Sequence, residues 1–102
     1  MIYEHRTSLA TTGGSTSTTT LNIRGGLLRQ LLVRSGTSTT VFRVNIVDTS
    51  NMLGSFQRRN WGFHTNELDE EMAMPVNGKI TLNVTNASPL TDTFSIYLGV
   101  EE

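Results

Sequence analysis

The sequence predicts an all-β chain, a single small antiparallel β-sandwich of jelly-roll-like type with about seven or eight strands. Three observations predict it. Thr occurs 16 times, Ser 9 and Asn 8 in 102 residues, whereas Lys occurs once; β-branched residues suit a half-buried pleated surface, and helix formers are scarce. Apolar and polar residues alternate in several short runs, the period expected of strands with one buried face. Turn residues recur about every 8–12 positions, the spacing of short strands in a sandwich.

Taken in order, residues 2–9 read as an edge strand. Residues 11–20, rich in Thr, Ser and Gly, read as a flexible loop, half of it too small and polar to pack; residues 16–24 also carry a weak strand signal, with Thr19, Leu21 and Ile23 on one face. Leu27, Leu28, Leu31, Leu32 and Val33 make residues 27–34 apolar on both faces, so this strand is expected to be buried on both sides. Phe42, Val44 and Ile46 alternate with Arg43 and Asn45. Residues 57–71 read as a long loop, with at most one helical turn at 65–71 capped by Thr65 or Asn66. Met72, Met74 and Val76, then Ile80, Leu82 and Val84, predict a hairpin through a three-residue loop with Gly78 in the left-handed region. Pro75, without an N–H, suggests an edge position or one whose N–H side faces solvent. Phe94, Ile96, Leu98 and Val100 close the domain, which spans residues 1–102 as one unit.

Composition bounds the function. A chain this short buries about two-thirds of its unfolded surface, enough for one modest core. The absence of cysteine excludes disulfides, thiolate metal sites and a Cys nucleophile. A formal net charge of -1 weighs against a dedicated nucleic-acid or anionic-membrane binder. Residues 1–6 run directly into polar and charged side chains, so no export signal is expected, and no apolar run approaches a membrane span.

The candidate chemistry is sparse. His5 and His64 have no second His at ligand spacing. The acids Glu67, Asp69, Glu70 and Glu71 lack the pattern of a calcium loop, so no metal and no cofactor is expected. Gly13-Gly14 and Gly25-Gly26 lack the spacing and Lys of a phosphate loop, and nothing resembles a nucleophile elbow. The chain is therefore read as non-enzymatic, with no catalytic residues. Arg outnumbers Lys seven to one, as at contact surfaces, where a planar cation is favoured. Arg58, Arg59, Trp61 and Phe63 form the first candidate interface, since Trp and Arg anchor interfaces. Arg29 and Arg34, set in an apolar strand, are expected to be paired across an interface or within the core, because an unpaired buried cation is costly; the alternative is that both lie at strand margins and reach water.

The Gly25 to Arg34 strand, the strand ending Ile46-Val47-Asp48, the Pro75-Val76-Asn77-Gly78 turn and the closing strands Ile80 to Ser88 and Thr93 to Val100 together resemble small β-sandwich virion accessory proteins of tailed bacteriophages. The resemblance implies a capsid decoration or cement protein that stabilises the head through homo-oligomer and lattice contacts, located in the virion, with itself and major capsid or tail proteins as partners. A tail or head–tail accessory subunit is the nearest alternative. A single-stranded nucleic-acid-binding or carbohydrate-binding β module is the other; the former would use Arg58, Arg59, Trp61 and Phe63, and the latter needs exposed aromatics, of which Trp61, Phe63, Tyr3 and Tyr97 are available.

Overall fold

The computed structural model describes the backbone of residues 2–48 and 57–101, with side chains apart from those of 23–25, 48, 57–58 and 77. Seven antiparallel strands follow one another: β1 (Ile2–Thr11), β2 (Thr16–Arg34), β3 (Val41–Asp48), β4 (Gln57–Asn60), β5 (His64–Thr65), β6 (Glu67–Asn86) and β7 (Asp92–Glu101). They hydrogen-bond in the order β1-β7-β2-β6-β3-β4, with β5 also on β3. β2 and β6, at 19 and 20 residues, are long enough to serve two layers. Residues 26–34 of β2 lie between β7 and residues 67–76 of β6, while residues 80–86 of β6 lie between the start of β2 and β3. With these halves counted separately, nine strand segments form two antiparallel layers, a sandwich-like all-β domain.

The core lies between the layers. Phe42 of β3 and Phe94 of β7 bring their ring centroids to 5.1 Å, tilted by 59°, joined by Leu28, Leu31, Val33, Val44, Ile46, Leu68, Ile80, Leu82, Ile96 and Leu98, all essentially inaccessible. Each such side chain contributes about 1.5–3 kcal/mol through removal of apolar surface from water.

The expected hairpin at 76–78 does not form. Leu68, Met74, Val76, Ile80, Leu82, Val84 and Asn86 are all buried even-numbered positions, so β6 keeps one phase from end to end. One strand with an unbroken period of two buries one face throughout; a reversal at Asn77 was not needed. Gly78, at φ 98°, supports a bend where the strand passes between layers, opposite a register shift in β2 between Ile23 and Gly26. Pro75 lies in the half of β6 that pairs with β2 alone, an edge where its missing N–H interrupts no ladder.

Three other expectations are corrected. Residues 11–20 are not a flexible loop: β1 runs to Thr11, β2 starts at Thr16, and only residues 12–15 turn, closed by the Ser15 N–H on the Thr12 carbonyl at 3.0 Å. Thr fits the strand, so polarity here marks an outward face and not disorder. A Cβ on Gly13 would come within 2.5 Å of the Pro89 carbonyl, which shows how closely this turn packs on the 87–91 connection. Residues 57–71 are not a long loop either, since β4, β5 and the start of β6 occupy most of them. No helical turn forms at 65–71, because Leu68 pairs with Val33 and alternates with outward Glu67 and Asp69. Finally, residues 27–34 are not buried on both faces. A second register shift between Leu28 and Gln30 moves the inward set from Leu28 to Leu31 and Val33, and leaves Leu27 and Leu32 half-buried on the outside.

Buried polar groups hold the connections. The Asn86 side chain, fully buried, donates to the Thr11 and Leu90 carbonyls at 3.0 and 2.9 Å and accepts from the Ser88 N–H at 2.9 Å. Asp92 accepts from the N–H groups of Gly36, Thr37 and Thr93 and from the Thr40 hydroxyl, at 3.1, 3.1, 2.8 and 2.6 Å.

Candidate functional site

Arg29 and Arg34 lie on the outer face of the layer that contains β1 and β7, each paired within the chain. Arg29 Nε donates to Glu101 at 2.5 Å and Arg34 to Glu67 at 2.6 Å. The Glu67 carboxylate raises the Arg34 guanidinium further above its ordinary value. Both are exposed, so neither is a buried cation waiting for a partner; the shift of phase at Arg29 is what places them outside. Exposed pairs of this kind contribute little to stability.

Arg59 is exposed on β4, opposite Ile46. The Arg58 backbone belongs to the same strand, opposite Val47, and its side chain lies outside the described residues. Trp61 is half-buried against the core and Phe63 is 58% exposed. Between β4 and β5 the chain is held alongside the middle of β3 by the Trp61 N–H on the Val44 carbonyl at 3.1 Å. The Gly62 carbonyl lies 3.0 Å from His64 Nδ1.

Around these two aromatics the second layer presents a shelf that residue types alone do not single out. Alternation on β2, β3 and β6 turns Thr16, Thr18, Arg43, Asn45, Asn83 and Thr85 to one outer face, and the register puts Thr16 beside Thr85, Thr18 beside Asn83, and Asn83 beside Asn45. Arg43 stacks its guanidinium over the Phe63 ring, 5.5 Å from the centroid. The Thr16 and Thr85 hydroxyls are 2.8 Å apart. The Thr18 hydroxyl donates to Asn83 Oδ1 at 2.6 Å, and Asn83 Nδ2 donates to Asn45 Oδ1 at 2.6 Å. Asn60 and Trp61 complete a shallow depression of about 350 Å³. Each of the six residues on β2, β3 and β6 is separately an outward polar residue on a strand; only the cross-strand register, which unites positions tens of residues apart, makes them a surface.

Among the described residues no group of three or more His, Asp or Glu side chains is arranged to hold a metal ion. His64 is half-buried beside β3, and Glu67, Asp69, Glu70 and Glu71 are spread along the edge of β6.

The fold is a two-layer antiparallel β-sandwich. No known protein-family model matches the chain, and no curated protein does. Solved structures share the fold. The Aeromonas hydrophila protein PliG, a periplasmic inhibitor of g-type lysozyme, is similar with a TM-score of 0.57 and 20% identity, over 96% of this chain and 86% of that one. The Yersinia pseudotuberculosis-derived mitogen is similar with a TM-score of 0.57 and 12% identity, over 100% of this chain and 89% of that one.

Proposed function

We propose that this protein is a non-enzymatic assembly subunit that joins copies of itself and seats them on a larger protein surface, in the manner of a phage capsid decoration or cement protein; a tail or head–tail subunit would work by the same means. The observation that supports this reading is the open edge of β1. A sandwich edge presents unpaired N–H and C=O groups, and soluble proteins usually blunt them. Here the β6 edge carries Glu67, Asp69, Glu70, Glu71 and Pro75, and β4 and β5 are four and two residues long. β1 is ten residues long, has no Pro, carries as its charges Glu4 and Arg6, which pair with each other, and among the described residues pairs with β7 alone.

Near its end β1 is covered, since Ser17 Oγ donates to the Ala10 carbonyl at 3.2 Å. Residues 2–8 remain open, with Ile2 63% and Tyr3 42% exposed. Beside them, on the outer face, Gly99 leaves a hollow of about 490 Å³ floored by Leu32 and Tyr97, which can take side chains from a neighbour. Size-exclusion chromatography with light scattering over a wide concentration range tests the proposal, together with co-sedimentation on phage heads and tails. Concentration-dependent oligomers that adhere to particles are expected. A monomer at every concentration that adheres to neither overturns it.

A further inference from the structure

The formal charge of -1 hides a segregated molecule. Every Asp and Glu among the described side chains belongs to the β1–β7 layer: Glu4, Glu67, Asp69, Glu70, Glu71, Asp92 and Glu101. The described charged side chains of the other layer are Arg43, Arg59 and Lys79, all cationic. Among the described side chains no carboxylate shares the layer of the shelf around Phe63, and Arg43 there meets an aromatic ring.

The hydrogen bonds of the shelf have a direction. Thr18 donates to the Asn83 carbonyl oxygen, so the Asn83 amide nitrogen is turned to Asn45, and it donates to the Asn45 oxygen. That orients the Asn45 amide with its oxygen toward Asn83, where one of its two lone pairs is used, and leaves its NH₂ to donate. The Arg43 guanidinium has donors only. A fixed amide donor and a guanidinium side by side want an acceptor, and an anionic one above all, because charge-assisted hydrogen bonds are about twice as strong as neutral ones. The remaining groups, the paired Thr16 and Thr85 hydroxyls and the Asn60 amide, both donate and accept, as sugar hydroxyls require. Trp61 and Phe63 offer apolar surface for a ring.

We infer that this shelf binds an acidic saccharide, with a sugar carboxylate on Arg43 and the Asn45 amide and sugar hydroxyls on Thr16, Thr85 and Asn60. Single-stranded nucleic acid fits less well. It binds through successive stacked bases, and one face of Phe63 is already taken by Arg43, while Trp61 is half-buried. The site is independent of the open edge of β1, which lies on the other layer.

The test is titration of the full-length protein with trigalacturonate, its neutral counterpart galactotriose, and a short oligothymidylate, followed by calorimetry and by amide signals in NMR. Saturable binding of trigalacturonate is expected, with shifts in the side-chain amides of Asn45 and Asn83 and the indole N–H of Trp61, and much weaker binding of galactotriose. Arg43→Gln should weaken binding about tenfold or more, the loss of one charge-assisted bond. Phe63→Ala, at an exposed position, provides a second variant where folding is not at stake, and should weaken binding less than Arg43→Gln. Absence of shifts at Asn45, Asn83 and Trp61, equal binding of galactotriose, or tighter binding of the oligothymidylate overturns the inference.

Discussion

Asp92 begins β7 and receives four hydrogen bonds from the 36–40 turn and its own neighbour. Burial pushes its carboxyl upward, but the Thr40 hydroxyl and the N–H groups of Thr93, Thr37 and Gly36 more than offset this and hold it below the ordinary carboxylate value. A carboxylate whose folded value is lowered contributes stability that is fully present above the unfolded value, near pH 4, and is lost as pH falls through the folded one. Asp92→Asn removes the charge and turns one acceptor into a donor facing donors. Whichever oxygen the NH₂ replaces, a backbone N–H, that of Thr37 or those of Gly36 and Thr93, loses its acceptor. A loss of about 1–3 kcal/mol at neutral pH is expected, measured as a fall in the urea midpoint. The gap between wild type and variant should narrow below pH 4, as the native carboxylate takes up its proton. An equal gap at pH 7 and pH 3 would show that the site acts by shape alone.

At the scale of elements, the sandwich class was legible in period-2 runs and Thr content, but where strands begin and change phase was not. The hairpin expected at Asn77 arose from reading a turn dipeptide as a reversal, although Met74, Val76, Ile80 and Leu82 share one parity. The phase shift at Arg29 is set by pairing with two neighbours and leaves no mark in a run that is apolar on both faces. Trp61 and Phe63 stood out by residue type, whereas Arg43, Asn45 and Asn83 did not, because their union depends on which strands are adjacent. The same reasoning from register predicts how β1 would meet a second copy. An isologous antiparallel pair about His5 sets Glu4 opposite Arg6 of the second copy and Arg6 opposite its Glu4, and uses residues 2–8, the open stretch. Centring on Glu4 or Arg6 instead would oppose like charges, which is unfavourable directly across strands. At present Glu4 and Arg6 pair within the strand at 2.8 Å. In a chain with no native cysteine, His5→Cys should therefore give an interchain disulfide on mild oxidation, while Glu4→Cys and Arg6→Cys, each facing a charged residue, should not. Charge reversal at Glu4 alone should weaken the dimer, and the exchange Glu4→Arg with Arg6→Glu should restore it. Cross-linking through Glu4→Cys in preference to His5→Cys would place the register elsewhere.

For the whole molecule the decisive feature is that β2 and β6 pass through both layers. A sandwich made of two separately paired sheets could lose one while keeping the other's ladder. Here residues 16–23 and 26–34 of β2 pair with successive parts of the same β6 partner, so releasing either layer frees half of a strand on which the other depends. The core reinforces this coupling, since Phe42 from one layer and Phe94 from the other lie in contact. Small domains held in this way unfold in one cooperative step, and their many pairings between distant residues make folding slow, in the range of milliseconds to seconds. Two probes separate the layers. Trp61, the single tryptophan, packs in the layer of β3, and the folded amide signals of Ile96 and Leu98 report on β7. In urea the fluorescence of Trp61 and the loss of those amide signals should share one midpoint. Phe94→Leu, which opens the β7 side, should lower both midpoints equally, although Trp61 sits on the opposite layer. A Trp61 transition that stays in place while the β7 signals move would mean that the halves of β2 and β6 behave as separate strands, and that the sandwich is two units sharing a chain.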